Sequence, residues 1–325
     1  MDHRDRLERA LRGDRPDHVP VALWRHFPGD DQRPETLARA HVAFYRAFDF
    51  DLLKVTPASG YYGDDWGLRA GYRPNREGVR HYTDRPIKKA SDWERLKRLD
   101  PSHGTYGREV QAIRLIAEEV GADVHVIETV FSPLTIARTL SGEQAVVRYL
   151  RETPDALHRG LEIITEVTAD FVRAVLAAGA DGVFFATQMA TTDALTVEEY
   201  EEFGRPYDLR VLEAARGALA VLHIHGVNVM FDVLTDYPVQ VINWHARETP
   251  PTLAEARARV PVCLAAGLDA WKTLAGGTPE AVAEEVCDAV AQTGGRGHIL
   301  TTGCVMPVDT PEANIRAAVT AARLA

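Results

Sequence analysis

The chain has 325 residues and carries 37 Lys and Arg against 47 Asp and Glu, for a net charge of −10. At 46% hydrophobic and 26% charged, the composition is that of a globular protein and excludes a disordered chain. The acidic balance argues against nucleic acid as the main partner, because phosphate contacts need clustered Lys and Arg. Three cysteines, Cys263, Cys287 and Cys304, are too few for a disulfide framework, so reduced thiols and a cytoplasmic location are expected. The opening MDHRDRLERALRGD is too charged for a secretory signal, and no run of ~18 apolar residues predicts a membrane span.

Short apolar, β-rich runs alternate with amphipathic ones along the whole chain. In order, the predicted strands are Val19–Trp24, Asp51–Pro57, Asp123–Val130, Asp181–Gln188, Leu219–Gly226, Val239–His245, Val262–Asp269 and His298–Val305. Helical periodicity fills the gaps, as over Pro154–Ala178, where Ile163, Val167, Phe171, Ala174 and Val175 share a face. A second helix is expected over Val197–Ala215, with Thr196 as N-cap and acids in its first turn. Thr278-Pro279-Glu280 and Thr310-Pro311-Glu312 repeat that start signal, with Pro at the first helical position.

Eight strands separated by helices, each strand continuously apolar, predict a single (β/α)8 TIM barrel over residues 1–325. An open doubly wound sheet is the rival, disfavoured because no Gly-rich phosphate turn follows an early strand. The long stretch between the second and third strands holds GYYGDDWGLRAGYRPNREGVRHY (residues 60–82). It is predicted to be a long loop or lid, followed by a helix. Tyr62, Asp64, Asp65 and Trp66 are its candidate ligand-covering residues, though a solvated loop pinned by aromatics reads equally well.

In such a barrel the chemistry sits at the carboxyl ends of the strands. Those ends carry Arg25 and His26, Thr56 to Ser59, Glu128 and Thr129, Thr187 and Gln188, His223 and His225, His245, Asp269 and Cys304. His223 and His225 lie two apart on a strand and therefore share a face. If that face is inward, two imidazoles meet at the mouth and Cys304 reaches the same axis from the eighth strand. Two imidazoles and a thiolate suit a three-ligand zinc site, with Glu128 or His245 as candidates for a further role. The same residues also fit a polar cavity without metal, and Cys304 an ordinary buried thiol.

At these residues the chain resembles the uroporphyrinogen decarboxylase superfamily, which also contains the zinc-dependent methyltransferases that move methyl groups between a corrinoid protein and coenzyme M or a related thiol. RLERALRGDRPDHVPVALWRH, EEFGRPYDLRVLEAA and GCVMPVDTPEANIRAAVTAAR carry the resemblance, which is diffuse but runs over nearly the whole chain. It implies a (β/α)8 barrel with its site in the carboxyl-end cleft, and suggests a homodimer. The decarboxylase branch has a paired-arginine segment, an aspartate closing the second strand and a late histidine. This chain keeps only Arg25 of the pair, closes that strand with Thr56-Pro57-Ala58-Ser59, and has Cys304 at or near the histidine position. The methyltransferase branch has a His-x-Cys-Gly segment and a distant cysteine before Thr-Pro. His223-Ile224-His225-Gly226 and Cys304 before Thr310-Pro311 match it, with imidazole in place of the first thiolate.

The resulting expectation is a zinc-dependent methyl-transfer enzyme with His223, His225 and Cys304 as ligands and a corrinoid supplied by a partner protein. Arg25 would pair with an acidic substrate group, Glu128 and His245 would act as base or orienting groups, and Gln188 and Asp269 would line the substrate site. A metal-free porphyrinogen-type decarboxylase and a non-catalytic ligand-binding barrel are the alternatives.

Overall fold

The computed structural model describes residues 1–325. Helix α1 (His3–Leu11), capped by the Asp2 carboxylate on the Asp5 amide at 2.8 Å, precedes α2 (Pro34–Phe48) and β1 (Leu52–Val55). An antiparallel hairpin, β2 (Arg69–Tyr72) and β3 (Arg80–Asp84), then leads to α3 (Gly104–Val120) and β4 (His125–Phe131). After β4 come α4 (Pro133–Ser141), α5 (Glu143–Glu152), α6 (Pro154–Ala177), β5 (Gly182–Thr187), α7 (Val197–Phe203), α8 (Arg205–Glu213) and β6 (Leu219–Ile224). The remaining elements are β7 (Val241–Trp244), α9 (Leu253–Arg259), β8 (Cys263–Leu268), α10 (Pro279–Thr293), β9 (His298–Thr302) and α11 (Glu312–Leu324).

Seven strands form one parallel sheet in the order β1-β4-β5-β6-β7-β8-β9. This is an α/β fold with a curled, TIM-like sheet. Alternation along each strand divides the apolar residues into two populations. Leu52, Ile127, Phe184, Val221, Val241, Cys263 and Ile299 face one another and meet Leu7 and Ala10 of α1. Their neighbours, such as Leu53, Val126, Phe185, Leu222 and Ile242, pack outward against the helices.

The expected first strand does not form. Over Val19–Trp24 there is a single parallel bridge, Val21 to Leu300, with Ala22 donating to the Leu300 carbonyl and Leu300 to that of Pro20. Pro20 has no N–H for a ladder, and the Val21 amide is taken by the Asp51 carboxylate at 2.8 Å. The segment still links the sheet's two edges, because the Asp51 amide donates to the Val21 carbonyl.

Three further expectations change. The helix predicted over Val197–Ala215 is two helices meeting at Gly204. Pro206 follows in the first turn of α8, and a Cβ at Gly204 would stand 2.6 Å from the Tyr200 ring. Thr196 does cap α7, in a reciprocal box with Glu199. Thr310 is not a cap: its hydroxyl donates to the Pro307 carbonyl, and Pro311 occupies the cap position of α11. The presumed loop at 60–82 contains a 3₁₀ turn at Tyr61–Trp66 and the β2–β3 hairpin. No helix is long and apolar enough to cross a membrane.

Candidate metal centre and its cleft

A cavity of about 340 Å³ opens at the carboxyl ends of the strands. His223, on β6, has the inward parity of Val221, and the strand register sets it opposite Asn243 of β7. His225 and His245 follow two residues beyond each, on the same side. Cys304 arrives just past β9. Gly303 permits that approach, since a Cβ there would lie 2.6 Å from the His245 Cα. One donor atom from each of His223, His225, His245 and Cys304 lies within 4.8 Å of the others.

Hydrogen bonds fix which nitrogens face the centre. Asn243 spends its amide N–H groups on the Ala265 and Thr302 carbonyls and the Thr301 hydroxyl. Its oxygen therefore accepts from His223 Nδ1 at 2.6 Å, leaving Nε2 as a lone-pair donor 3.4 Å from His225 Nδ1. His245 Nδ1 likewise donates to Glu248 at 3.0 Å, and its Nε2 is buried without any partner. Imidazoles oriented by a carboxylate or amide through the distal nitrogen are the arrangement metal-ligating histidines require. Burial alone would raise the Cys304 thiol, but His225, His223 and His245 hold it well below its ordinary value. Burial works against charge on His245 too, yet Cys304 and Glu248 push it up to about 9. A cysteine sulfur ringed by three imidazoles, one with an orphaned buried nitrogen, is a donor set that fits zinc.

The other expected residues divide. Tyr62 lines the cleft and bonds Thr139 at 3.0 Å. Gln188 lines it too, its oxygen accepting from Arg138 at 3.0 Å. Arg25 points elsewhere: it donates to the Val308 carbonyl at 2.7 Å and lies over the Phe27 and Phe44 rings. Its neighbours Trp24 and His26 face the cavity instead. Glu128 has the helix-facing parity of Val126 and Val130; it is fully buried, both oxygens lack partners, and burial pushes its carboxyl well up. Asp64 pairs with Arg80 at 3.4 Å, and Asp65 accepts from the Thr105 amide at 2.8 Å. Trp66 donates to the Lys97 carbonyl, and Asp269 caps the turn at Trp271 and Lys272. None of these six lines the cleft.

Sequence reasoning passed over Asn243 and Lys54. Asn243 shares the inward parity of His245, so the signal was present. Lys54 sits mid-strand in β1 between apolar residues, and its inward parity with Leu52 brings it into the cleft. His26 lies beside it as a neutral ring: burial pushes it down to about 4, and its Nδ1 donates to the Pro57 carbonyl.

Known proteins share this fold. Methylcobamide:CoM methyltransferase MtbA of Methanosarcina mazei is 25% identical, with 98% of this chain and 97% of that protein aligned. Uroporphyrinogen decarboxylase of Prochlorococcus marinus is 28% identical over 71% of this chain and 67% of its own length. Among solved structures, a methyltransferase from Methanosarcina mazei superposes with a TM-score of 0.87 at 21% identity, covering 99% of this chain and 98% of that one. A B12-independent methionine synthase from Shewanella shares the fold at 0.62. The family model for uroporphyrinogen decarboxylase (URO-D) matches residues 2–324, and the chain belongs to that family.

Proposed function

We propose that this chain is a metal-dependent methyl-transfer enzyme of the URO-D family, moving a methyl group from a corrinoid or methylated donor to a small nucleophile. The carrying observation is the convergence of His223, His225, His245 and Cys304 within 4.8 Å, together with relatives that align end to end and are named methylcobamide:CoM methyltransferases. In this reading the curl works as a (β/α)8 barrel whose first strand is reduced to the Val21 bridge.

Zinc held by His223, His225 and Cys304, with His245 beside them, would leave a position for an acceptor thiol and keep it ionised near neutral pH. The chain's own residues do the rest. Asn243 and Glu248 hold the His223 and His245 rings with Nε2 inward. The hairpin residues Val79, Arg80 and Tyr82 wall the cleft from above and limit water. In the transfer, the sulfur's electron pair forms the new sulfur–carbon bond, the donor keeps the pair of its broken bond to carbon, and the thiol proton has already left to solvent. A corrinoid would come on a partner protein docking at the open side of the cleft. Arg25 and Glu128 act in this reading as supports behind the site, without touching the reacting atoms. A porphyrinogen-type decarboxylase is less well supported, because the only carboxylate lining the cleft is Glu77 on the hairpin loop, and the end of β1 supplies none.

The test is metal content per chain beside methyl transfer from methylcobalamin to small thiols. About one zinc per wild-type chain is expected. His225→Ala and Cys304→Ser should lose it, with transfer falling about a thousandfold or more. No stoichiometric metal after zinc-replete expression, in a folded wild-type protein, overturns the reading.

A further inference from the structure

The β2–β3 hairpin pairs with no strand of the main sheet, yet Glu77, Val79, Arg80 and Tyr82 help to line the cleft. Its base and its tip are held differently. At the base the Arg80 amide donates to the Ser59 hydroxyl at 2.7 Å. Tyr82 lies so close over Gly60 that a Cβ there would meet its ring at 2.5 Å. The tip, residues 73–79, is a turn closed on itself. The Asn75 side chain donates to the Arg73 and Val79 carbonyls, each at 2.8 Å, and accepts from the Val79 amide at 3.2 Å. Those bonds stay within the tip, so it can move as one body.

The tip is kept down by contacts with the turns that follow β8 and β9. Arg76 Nε donates to both oxygens of Asp309, at 2.8 and 3.1 Å, and the guanidinium lies over the Trp271 ring, 5.4 Å from its centroid. The Val308 amide donates to the Arg76 carbonyl at 2.7 Å, and Arg25 fixes that seat through the Val308 carbonyl, also at 2.7 Å. Gly78, at φ +76°, allows the close approach, since a Cβ there would stand 2.8 Å from the His26 and Val308 side chains. Both partners of the Arg76–Asp309 pair are half exposed, and Trp271 is exposed as well. A surface ion pair, a surface cation–π contact and one backbone hydrogen bond are each worth roughly tenfold or less in population. Such a closure is favoured yet reversible, as a lid over a reaction site has to be.

We propose that the hairpin tip is a gate over the histidine–cysteine centre, latched by Arg76 onto Asp309 and Trp271, and that it lifts to admit a bulky reactant. With the tip down, a cavity of about 340 Å³ takes a small molecule but not a corrinoid ring carried on a protein. The gate stands on the contacts alone; only the corrinoid as its bulky reactant rests on the methyl-transfer reading. Arg76 is a positioning residue, since it touches no reacting atom.

Two measurements on the full chain read the gate. The first is hydrogen exchange at the Val308 amide, whose acceptor lies on the tip. Arg76→Ala should speed it about tenfold, while the Leu300 amide in β9 keeps its rate. The second is alkylation of Cys304 after chelation of any bound metal, in a Cys287→Ser background that removes the exposed thiol and leaves Cys263 buried. Arg76→Ala should raise the rate with a bulky fluorescein maleimide about tenfold, and the rate with iodoacetamide by less than about twofold. Asp309→Asn should act in the same direction, and so should about 1 M salt on the wild-type protein, which screens the exposed pair. An unchanged Val308 exchange rate or an unchanged maleimide rate in Arg76→Ala overturns the gate. So does a rise that iodoacetamide shares equally, since it would mean a loosened centre. Neither measurement uses zinc or a methyl donor, so a failure of methyl transfer leaves the gate standing, and a failure of the gate leaves methyl transfer untouched.

Discussion

The two ends of the curled sheet treat charge in opposite ways. At the amino ends of the strands, α1 lies against the sheet with Leu7 and Ala10 buried. There Arg6 bridges Asp51 at 2.7 Å and Asp17 at 2.8 Å, while Arg4 meets Asp181 at 2.6 Å. Asp51, 1% exposed, accepts from Arg6, His3 and the Val21 amide together. At the carboxyl ends Lys54 has no carboxylate within ion-pair distance, His245 Nε2 has no hydrogen-bond partner, and three imidazoles hold the Cys304 thiol well below its ordinary value. Structural charge is satisfied by the chain itself; functional charge is left for something else to complete.

Breaking the amino-end network should have the largest effect on stability. Arg6→Ala leaves the buried Asp51 carboxylate facing only His3 and one amide, so a loss of about 3–5 kcal/mol is expected in urea unfolding. The folded fraction should keep its histidine–cysteine cluster, because no residue of that network lines the cleft. A loss under about 1 kcal/mol would mean that the amino end is no better satisfied than the other.

A smaller effect at the same end reads out in pH. Burial pushes the Asp181 carboxyl up, but His125, Arg4 and the Val126 amide outweigh it and hold it at about 2. A carboxyl depressed in the folded state stabilises fully above its ordinary value near 3.8. That contribution fades as pH falls through about 4 towards 2. Discounted for its residual exposure, it amounts to about 1–2 kcal/mol. Asp181→Asn should therefore flatten the acid limb of a stability–pH curve and leave its neutral plateau lower. An unchanged acid limb would remove Asp181 from the network.

The same contrast explains what the sequence made legible. Strand positions came through because each is a continuous apolar run, and the His223, His225 and Cys304 cluster because inward parity at a strand end is a local property. Val19–Trp24 did not come through as the bridge it is, since the loss of pairing depends on Asp51 reaching the Val21 amide from a distant segment. Arg25 looked like the substrate's anion partner because it ends an expected strand and matches one arginine of the decarboxylase segment. Parity assigns the cleft to Trp24 and His26, and only the tertiary structure brings the Val308 carbonyl to Arg25. The hairpin at 69–84 escaped notice because Arg69–Tyr72 and Arg80–Asp84 bury no continuous face, with most of their residues partly or fully exposed. Lys54 was hidden by its apolar neighbours, although its inward parity with Leu52 brings it into the cleft.

Lys54→Met gives the smallest effect on stability and the sharpest test of the contrast, because its sign should be reversed. Burial pushes the Lys54 ammonium down to about 8, although Cys304 and Glu128 favour its charge. The charged form is therefore disfavoured by folding. Methionine is an unbranched apolar side chain that fits the same channel between Trp24 and Phe184, and it strands no carboxylate when it replaces the amine. The ligand-free protein should be unchanged or more stable by about 1 kcal/mol in urea unfolding at neutral pH. The gain should shrink as pH rises through about 8, where the wild-type amine loses its proton and with it the cost of burial. Destabilisation on the scale of Arg6→Ala would mean that Lys54 already has its anion within the chain, and the two ends of the sheet would no longer differ in kind.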